Sequence, residues 1–189
     1  RQTFMKQSTC TWPGEDTTMI RYHDHEWGVP LHNDRKLFEY IVLDAFQAGL
    51  SWRTVLHKRK NFKAAFDSFD PKKVANYKAA KLRQLLANPG IIRNRLKIAG
   101  TVKNAQAFLH VQKLHGSFDR FIWQFVKGKP KVNRWKSSTQ IPARSKESDA
   151  MSVALKEAGF TFVGSTICYA FMQAAGMVND HLVGCLRWK

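Results

Sequence analysis

Apolar positions recur along this chain at the three-to-four residue spacing of helices, and no run alternates apolar and polar residues between hairpin turns. The pattern predicts an all-α protein. The clearest element covers 34–48, begun by Asn33 or Asp34 as cap, with a stretch from Tyr40 to Leu50 that is almost continuously apolar apart from Asp44 and Gln47. Such a helix must be buried on most sides. Pro71 sits at a first-turn position and opens a lysine-bearing helix whose stripe continues through Leu82, Leu85 and Leu86. Asn88-Pro89-Gly90 stops it, because proline disfavours helix at the residue before it and glycine tolerates positive φ. A long amphipathic helix is expected from Arg93 to Leu114, with Leu96, Val102, Ala105, Phe108, Leu109 and Val111 for its inner face.

Beyond Gly116 the pattern predicts an apolar helix over 118–126 and a surface loop over 127–149, rich in Lys, Ser and Pro. Ser148 is the expected cap of a helix ending at Gly159, and a buried helix over 165–175 stops at Gly176. There is no internal repeat. Residues 1–189 therefore read as a single globular domain, with a hairpin-bearing lobe over 36–115 and a terminal lobe made of 1–35 with 116–189.

At 44% hydrophobic and 12% aromatic, the 189 residues suit a packed core and exclude intrinsic disorder. No stretch approaches the ~18 apolar residues of a membrane span, and no signal-peptide core is present. A soluble, cytoplasmic protein with no membrane partner is expected. Charge changes the picture more, because 31 Lys and Arg face 14 Asp and Glu, a net +17. Nucleic acid, an anionic membrane surface or an acidic protein are the partners such a charge attracts. Residues 53–103 hold fourteen of the basic residues against only Asp67 and Asp70, and a basic block inside a folded domain favours nucleic acid. Three cysteines, Cys10, Cys168 and Cys185, point to free or metal-bound thiols and not to a disulfide framework.

Four features carry candidate chemistry. Cys10 and His23 are spaced C-x12-H, and His181 and Cys185 are spaced H-x3-C, one helical turn apart. Two thiolates and two imidazoles form the ligand set of a closed tetrahedral zinc site. Spacing alone favours two buried thiols and two unrelated histidines, since the pairs are far apart in the chain. Trp12, Tyr22, Trp27 and Trp52 offer flat surfaces on which a base can stack, although each taken singly also suits a core. Asp44 lies on the stripe Leu37, Ile41, Asp44, Ala48. A buried carboxylate needs a partner or a purpose, and an arginine or a backbone amide would serve as well as a ligand. Finally, the turn at Asn88-Pro89-Gly90 leads into Ile91-Ile92-Arg93-Asn94-Arg95, where helix-start amides with Gly90, Arg93, Arg95 and Lys97 would face a phosphate.

Several separate strings, in order, resemble the type I 3-methyladenine DNA glycosylases, the Tag family of the helix-hairpin-helix superfamily. They are Tyr22-His23-Asp24-His25-Glu26-Trp27-Gly28-Val29-Pro30, Gln47-Ala48-Gly49-Leu50-Ser51-Trp52, Gly90-Ile91-Ile92-Arg93-Asn94-Arg95, Gly159-Phe160 with Phe162-Val163-Gly164, Ile167-Cys168-Tyr169, and Asn179-Asp180-His181-Leu182-Val183-Gly184-Cys185. The resemblance implies the helix-hairpin-helix glycosylase fold and hydrolysis of the N-glycosidic bond of N3-methyladenine in double-stranded alkylated DNA. The products would be free 3-methyladenine and an abasic site. It also implies one structural zinc on Cys10, His23, His181 and Cys185, joining the terminal segments, and an aromatic pocket on Trp12, Tyr22, Trp27 and Trp52. Leu50 falls where a side chain probes the gap left by the everted base.

One departure stands out. The family pattern has a glutamate where this chain has Asp44, so the carboxyl reaches about one C–C bond, ~1.5 Å, less far. Lesion preference is the property this bears on. Between Pro71 and Phe118 there is no Asp or Glu, so the aspartate that many superfamily members use after the hairpin is absent. N3-methyladenine is positively charged while bonded to its sugar and leaves readily, so Asp44 as the single catalytic carboxylate, with tight eversion and stacking, is sufficient. A monomer that excises without strand cleavage is expected. Two other classes fit the same residues: a non-catalytic zinc-containing binder of alkylated or distorted DNA, and a basic zinc module for RNA or structured DNA. The buried Asp44 and the aromatic pocket fit the last of these poorly.

Overall fold

The computed structural model describes residues 10–188. Helix starts follow local capping chemistry: α1 (Thr17–His25) opens on Asp16, whose carboxylate accepts from the Thr18 and Met19 amides at 3.0 Å each. Next come α2 (Asp34–Gln47), capped by Asn33, and α3 (Trp52–Ala65), capped by Ser51. The one-turn α4 (Pro71–Val74) and α5 (Ala79–Ala87) lead to the hairpin turn, beyond which α6 (Arg95–His115) is capped by Asn94 and ended by Gly116. The chain closes with α7 (Phe118–Trp123), α8 (Lys146–Glu157) and α9 (Ser165–Ala174).

Helix α2 runs through the centre, with every residue from Leu37 to Phe46 buried and α3, α6, α7 and α9 packed around it. Its aromatic side chains meet their neighbours at ring distance: Phe38 lies 5.0 Å from Phe108 of α6, and Phe46 lies 4.7 Å from Phe62 of α3. Full burial of a phenylalanine stabilises by about 1.5–3 kcal/mol, so these pairs fix α2 firmly. One hydrophobic cluster extends from Leu37 to Val178 through both predicted lobes.

Several boundaries differ from the sequence expectation, each for a local reason. The lysine-bearing helix is two pieces, because Asn76 donates to the Lys72 carbonyl at 2.8 Å and Tyr77 turns back to bond Asp67. Ser145, not Ser148, is the cap of α8; its hydroxyl accepts from the Ser148 amide while Ser148 Oγ accepts from the Ser145 amide. Leu96 is 72% exposed and points outward, unlike the rest of the predicted inner face. The helix over 118–126 tightens into a 3-10 turn at Gln124–Val126 before left-handed Lys127. Residues 131–132 of the predicted loop form β1 (Lys131–Val132), paired in parallel with β2 (Val178–Asn179). That pairing returns the loop to the segment carrying His181.

At Gly176, with φ +66, an added Cβ would stand 2.1 Å from the Val29 carbonyl carbon, so only glycine fits. The approach seats the end of α9 on residues 28–31, where Gln173 O accepts from Gly28 N at 2.8 Å and Ala175 O from Leu31 N at 3.0 Å.

Candidate active site and metal-binding cluster

A cavity of about 340 Å³ opens between α1, α2, α3 and α9, lined by Trp12, Tyr22, Trp27, Asp44, Gln47, Trp52 and Gln173 among others. The four aromatic residues singled out in the sequence converge here. Trp12 meets Trp27 edge-on at 5.1 Å, and Tyr22 meets Trp52 at 5.1 Å. Among the described residues, the buried side-chain N and O atoms left without a hydrogen-bond partner are Trp12 Nε1, Trp52 Nε1 and Asp44 Oδ2. All three belong to residues lining this one cavity. Leaving a buried polar group unsatisfied costs about 1–3 kcal/mol, so the concentration of such groups marks a place built for a polar, flat ligand.

Two buried carboxyl groups of α2 show how specific this is. Glu39 is met by Arg59 at 2.6 Å and Lys36 at 3.2 Å, and Arg59 also holds Glu26 at 2.8 Å. Burial would raise the Glu26 pKa, but the hydrogen bonds from Arg59 and Tyr40 outweigh it and hold the carboxyl below its usual range. Asp44, five residues on and 2% exposed, receives no arginine among the described residues. Burial alone drives its pKa well above the ordinary aspartate value.

Beside the cavity, Cys10, His23, His181 and Cys185 gather with their ligand atoms all within 4.8 Å of one another, each residue buried. This cluster can hold a metal ion. His181 Nδ1 lies 3.1 Å from His23 Nε2, while Cys185 Sγ lies 3.5 Å from His181 Nδ1 and 3.7 Å from His23 Nε2. Those spacings approach the edges of a tetrahedron with ~2.0 Å nitrogen and ~2.3 Å sulfur bonds, roughly 3.3 Å between nitrogens and roughly 3.5 Å from nitrogen to sulfur. The outer contacts fit as well: His23 Nδ1 faces Asp24 Oδ1 at 2.7 Å, and His181 Nε2 faces the Trp27 carbonyl at 2.8 Å. Each imidazole thus has its outer nitrogen engaged and its inner one turned to the cluster. Burial presses the His181 pKa down to about 4, keeping it neutral as a ligand must be. Trp12 and Trp27 touch the His23 ring on one side and line the cavity on the other.

At the hairpin, Asn88 Oδ1 accepts from the Gly90 amide at 2.8 Å and Asn61 Nδ2 donates to the Gly90 carbonyl at 3.1 Å. A Cβ at Gly90 would sit 3.0 Å from one and 3.1 Å from the other, so both side chains would have to give way slightly. The Gly90 amide is therefore engaged within the turn. Arg93 and Arg95 are exposed, as the sequence reading requires. Lys97 is not. It is 7% exposed, and its ammonium donates to the Phe46 carbonyl at 2.8 Å and to the Ala48 carbonyl. Burial lowers its pKa. Read as a surface charge from the sequence, Lys97 is instead an internal tie to the end of α2. Leu50, in the turn between α2 and α3, is 46% exposed.

Comparison with known proteins decides the family. Residues 12–188 match the model of a family described as methyladenine glycosylase. The chain belongs to the methyladenine glycosylase family. DNA-3-methyladenine glycosylase 1 of Escherichia coli K12 is 49% identical over 176 residues, covering 93% of this chain and 94% of that protein. A crystal structure of 3-methyladenine DNA glycosylase I matches with a TM-score of 0.94 at 49% identity, over 97% of this chain and all of the other. A variant of 3-methyladenine DNA glycosylase I in complex with 3-methyladenine matches at 0.93 and 34% identity, over 95% and 97% of the two chains.

In this methyladenine glycosylase family member, sequence reasoning missed Asp180 and Gln173. The buried Asp180 carboxylate accepts from Asn133 Nδ2 at 2.7 Å, Trp135 Nε1 at 2.8 Å, Tyr169 OH at 2.6 Å and Gln173 Nε2 at 2.9 Å. It ties the segment bearing His181 to the cavity wall. No periodicity announces such a residue; its signal was its place beside His181 in a string of polar residues between apolar ones.

Proposed function

We propose that this chain hydrolyses the N-glycosidic bond of N3-methyladenine in double-stranded DNA and releases the free base. The observation that carries the reading is the aromatic cavity whose one carboxyl, Asp44, is buried without a partner, in a member of this family. The base is everted into the cavity, where Trp52 and Tyr22 stack on it and Trp12 and Trp27 close the far side. The lesion is cationic while joined to its sugar. Burial disfavours the charged form of Asp44 in the empty pocket, and a cationic ring beside it supplies the opposite charge that favours the carboxylate, any carboxyl proton passing to solvent as the base enters, whereas neutral adenine supplies none. Discrimination against undamaged bases follows from that difference. As the bond to C1′ breaks, the ring departs as a neutral base and positive charge appears on the sugar. The carboxylate remains close enough to stabilise it, and water completes the hydrolysis.

Arg93 and Arg95 hold phosphates from the hairpin lobe, over 36–115, without reading sequence, and Leu50 fills the gap in the stack. A Zn2+ held by Cys10, His23, His181 and Cys185 would occupy all four positions with protein ligands and serve as a structural staple behind Trp12 and Trp27. The protein acts as a cytoplasmic monomer and leaves the strand uncut at the abasic site. Chromatography of bases released from methylated duplex DNA tests the reading. Free 3-methyladenine is expected, and eversion without release would instead make the protein a binder of damaged DNA.

A further inference from the structure

Lys97 has a buried ammonium and, among the described residues, no carboxylate partner; its hydrogen bonds go to two backbone carbonyls, those of Phe46 and Ala48. Burying a charge is costly, and an apolar side chain would fill the same space without that cost. What the ammonium provides is a bond across the fold. Phe46 and Ala48 end α2, where the last carbonyls have no helical partner and where a cation is favoured by the helix dipole. Lys97 itself lies in the first turn of α6, its amide capped by Asn94 at 3.1 Å, directly after exposed Arg93 and Arg95. The turn beginning at Ala48 carries Leu50. It is otherwise closed by bonds within its own stretch, Ala48 N to Ala45 O at 3.4 Å and Leu50 N to Gln47 O at 2.7 Å.

We infer that Lys97 is a positioning residue that holds the Leu50 turn in register with the hairpin, so that engagement of phosphates at Arg93 and Arg95 presents Leu50 to the gap left by the everted base. The inference rests on the proposed glycosylase reading. It differs from a phosphate contact, because the ammonium faces the protein interior. It also differs from a role in base recognition, because Lys97 does not line the cavity.

Lys97→Met keeps the length and removes the charge. Measured at saturating protein in a single turnover, its excision of 3-methyladenine from methylated duplex is expected to fall by at least about tenfold, as misplacement of a positioning group commonly does. Its affinity for free 3-methyladenine, read by quenching of tryptophan fluorescence, should stay within about twofold, since the pocket is separately packed. Leu50→Ala should lose as much, and the double variant should be no more than about twofold slower than Leu50→Ala alone, because both remove one device. Should Lys97→Met not fold, the same comparison is made with Lys97→Gln, which keeps a donor. Wild-type excision by the folded variant, an equal loss of free-base affinity, or multiplicative losses in the double variant would each overturn the inference. Failure of the wild-type protein itself to release base would refute the glycosylase reading instead.

Discussion

The cavity and the Cys/His cluster share a wall, yet they treat polar atoms in opposite ways. In the cluster, each histidine has an outer partner, Asp24 for His23 and the Trp27 carbonyl for His181, and the Leu182 amide points at Cys10 Sγ at 3.3 Å. In the cavity, two indole N–H groups and one carboxyl oxygen have nothing. A site whose every group is engaged is organised to stay as it is; a site with unsatisfied groups is organised to receive something. The difference separates a cluster that can hold a metal ion from a cavity open to a ligand within about one side chain's breadth.

Substitutions can break the comparison. Asp44→Asn should slow excision by roughly 10²–10³-fold while leaving the melting temperature unchanged or higher, the scale of losing one transition-state contact. Cys185→Ser should act in the reverse order. Metal analysis should find about one zinc per wild-type chain and much less in the variant, whose melting temperature should fall by at least about 5 °C, or about 2 kcal/mol in a chain this size. Activity would decline only as the fold does. Trp52→Ala should weaken binding of free 3-methyladenine by about 1–3 kcal/mol without a change in metal content. Neutralising Arg93 and Arg95 together should lower the slope of log affinity against log salt by about 2, equally for damaged and undamaged duplex.

The smallest effect concerns pH. Unfolded Asp44 ionises in the ordinary aspartate range, while the folded, buried group keeps its proton well above that range. The folded state therefore binds more protons, and this group makes the wild-type protein less stable as pH rises past the ordinary range. Asparagine does not titrate. Thermal melts of the two proteins should diverge with rising pH, Asp44→Asn being the more stable at the alkaline end; curves that stay parallel would mean that Asp44 is charged in the free protein.

Legibility in the sequence follows how local each feature is. Helix α2, the stop at Asn88-Pro89-Gly90 and the end at Gly116 come from periodicity, proline and glycine, all set by neighbours in the chain. The cap of α8 was misplaced by three residues, because Ser145 and Ser148 satisfy each other and either reads as a cap. Helices α1 and α3 were not predicted; α3 carries so many basic residues that its charge masks the sparse stripe of Val55, Leu56 and Phe62. Asp44 stood out because an acid interrupts an apolar run, but its lack of a partner is a tertiary fact. Lys97 was misread for the same reason. In a segment of fourteen basic residues, only the fold shows that the Lys97 ammonium turns inward.

The most direct measurement is the rate at which wild type and Asp44→Asn release 3-methyladenine from methylated duplex DNA, followed chromatographically with strand integrity checked alongside. The account predicts rapid release by the wild-type protein from uncut strands and release slower by roughly 10²-fold or more in the variant. Equal rates in the two proteins, or damaged DNA bound without any base released, would contradict it.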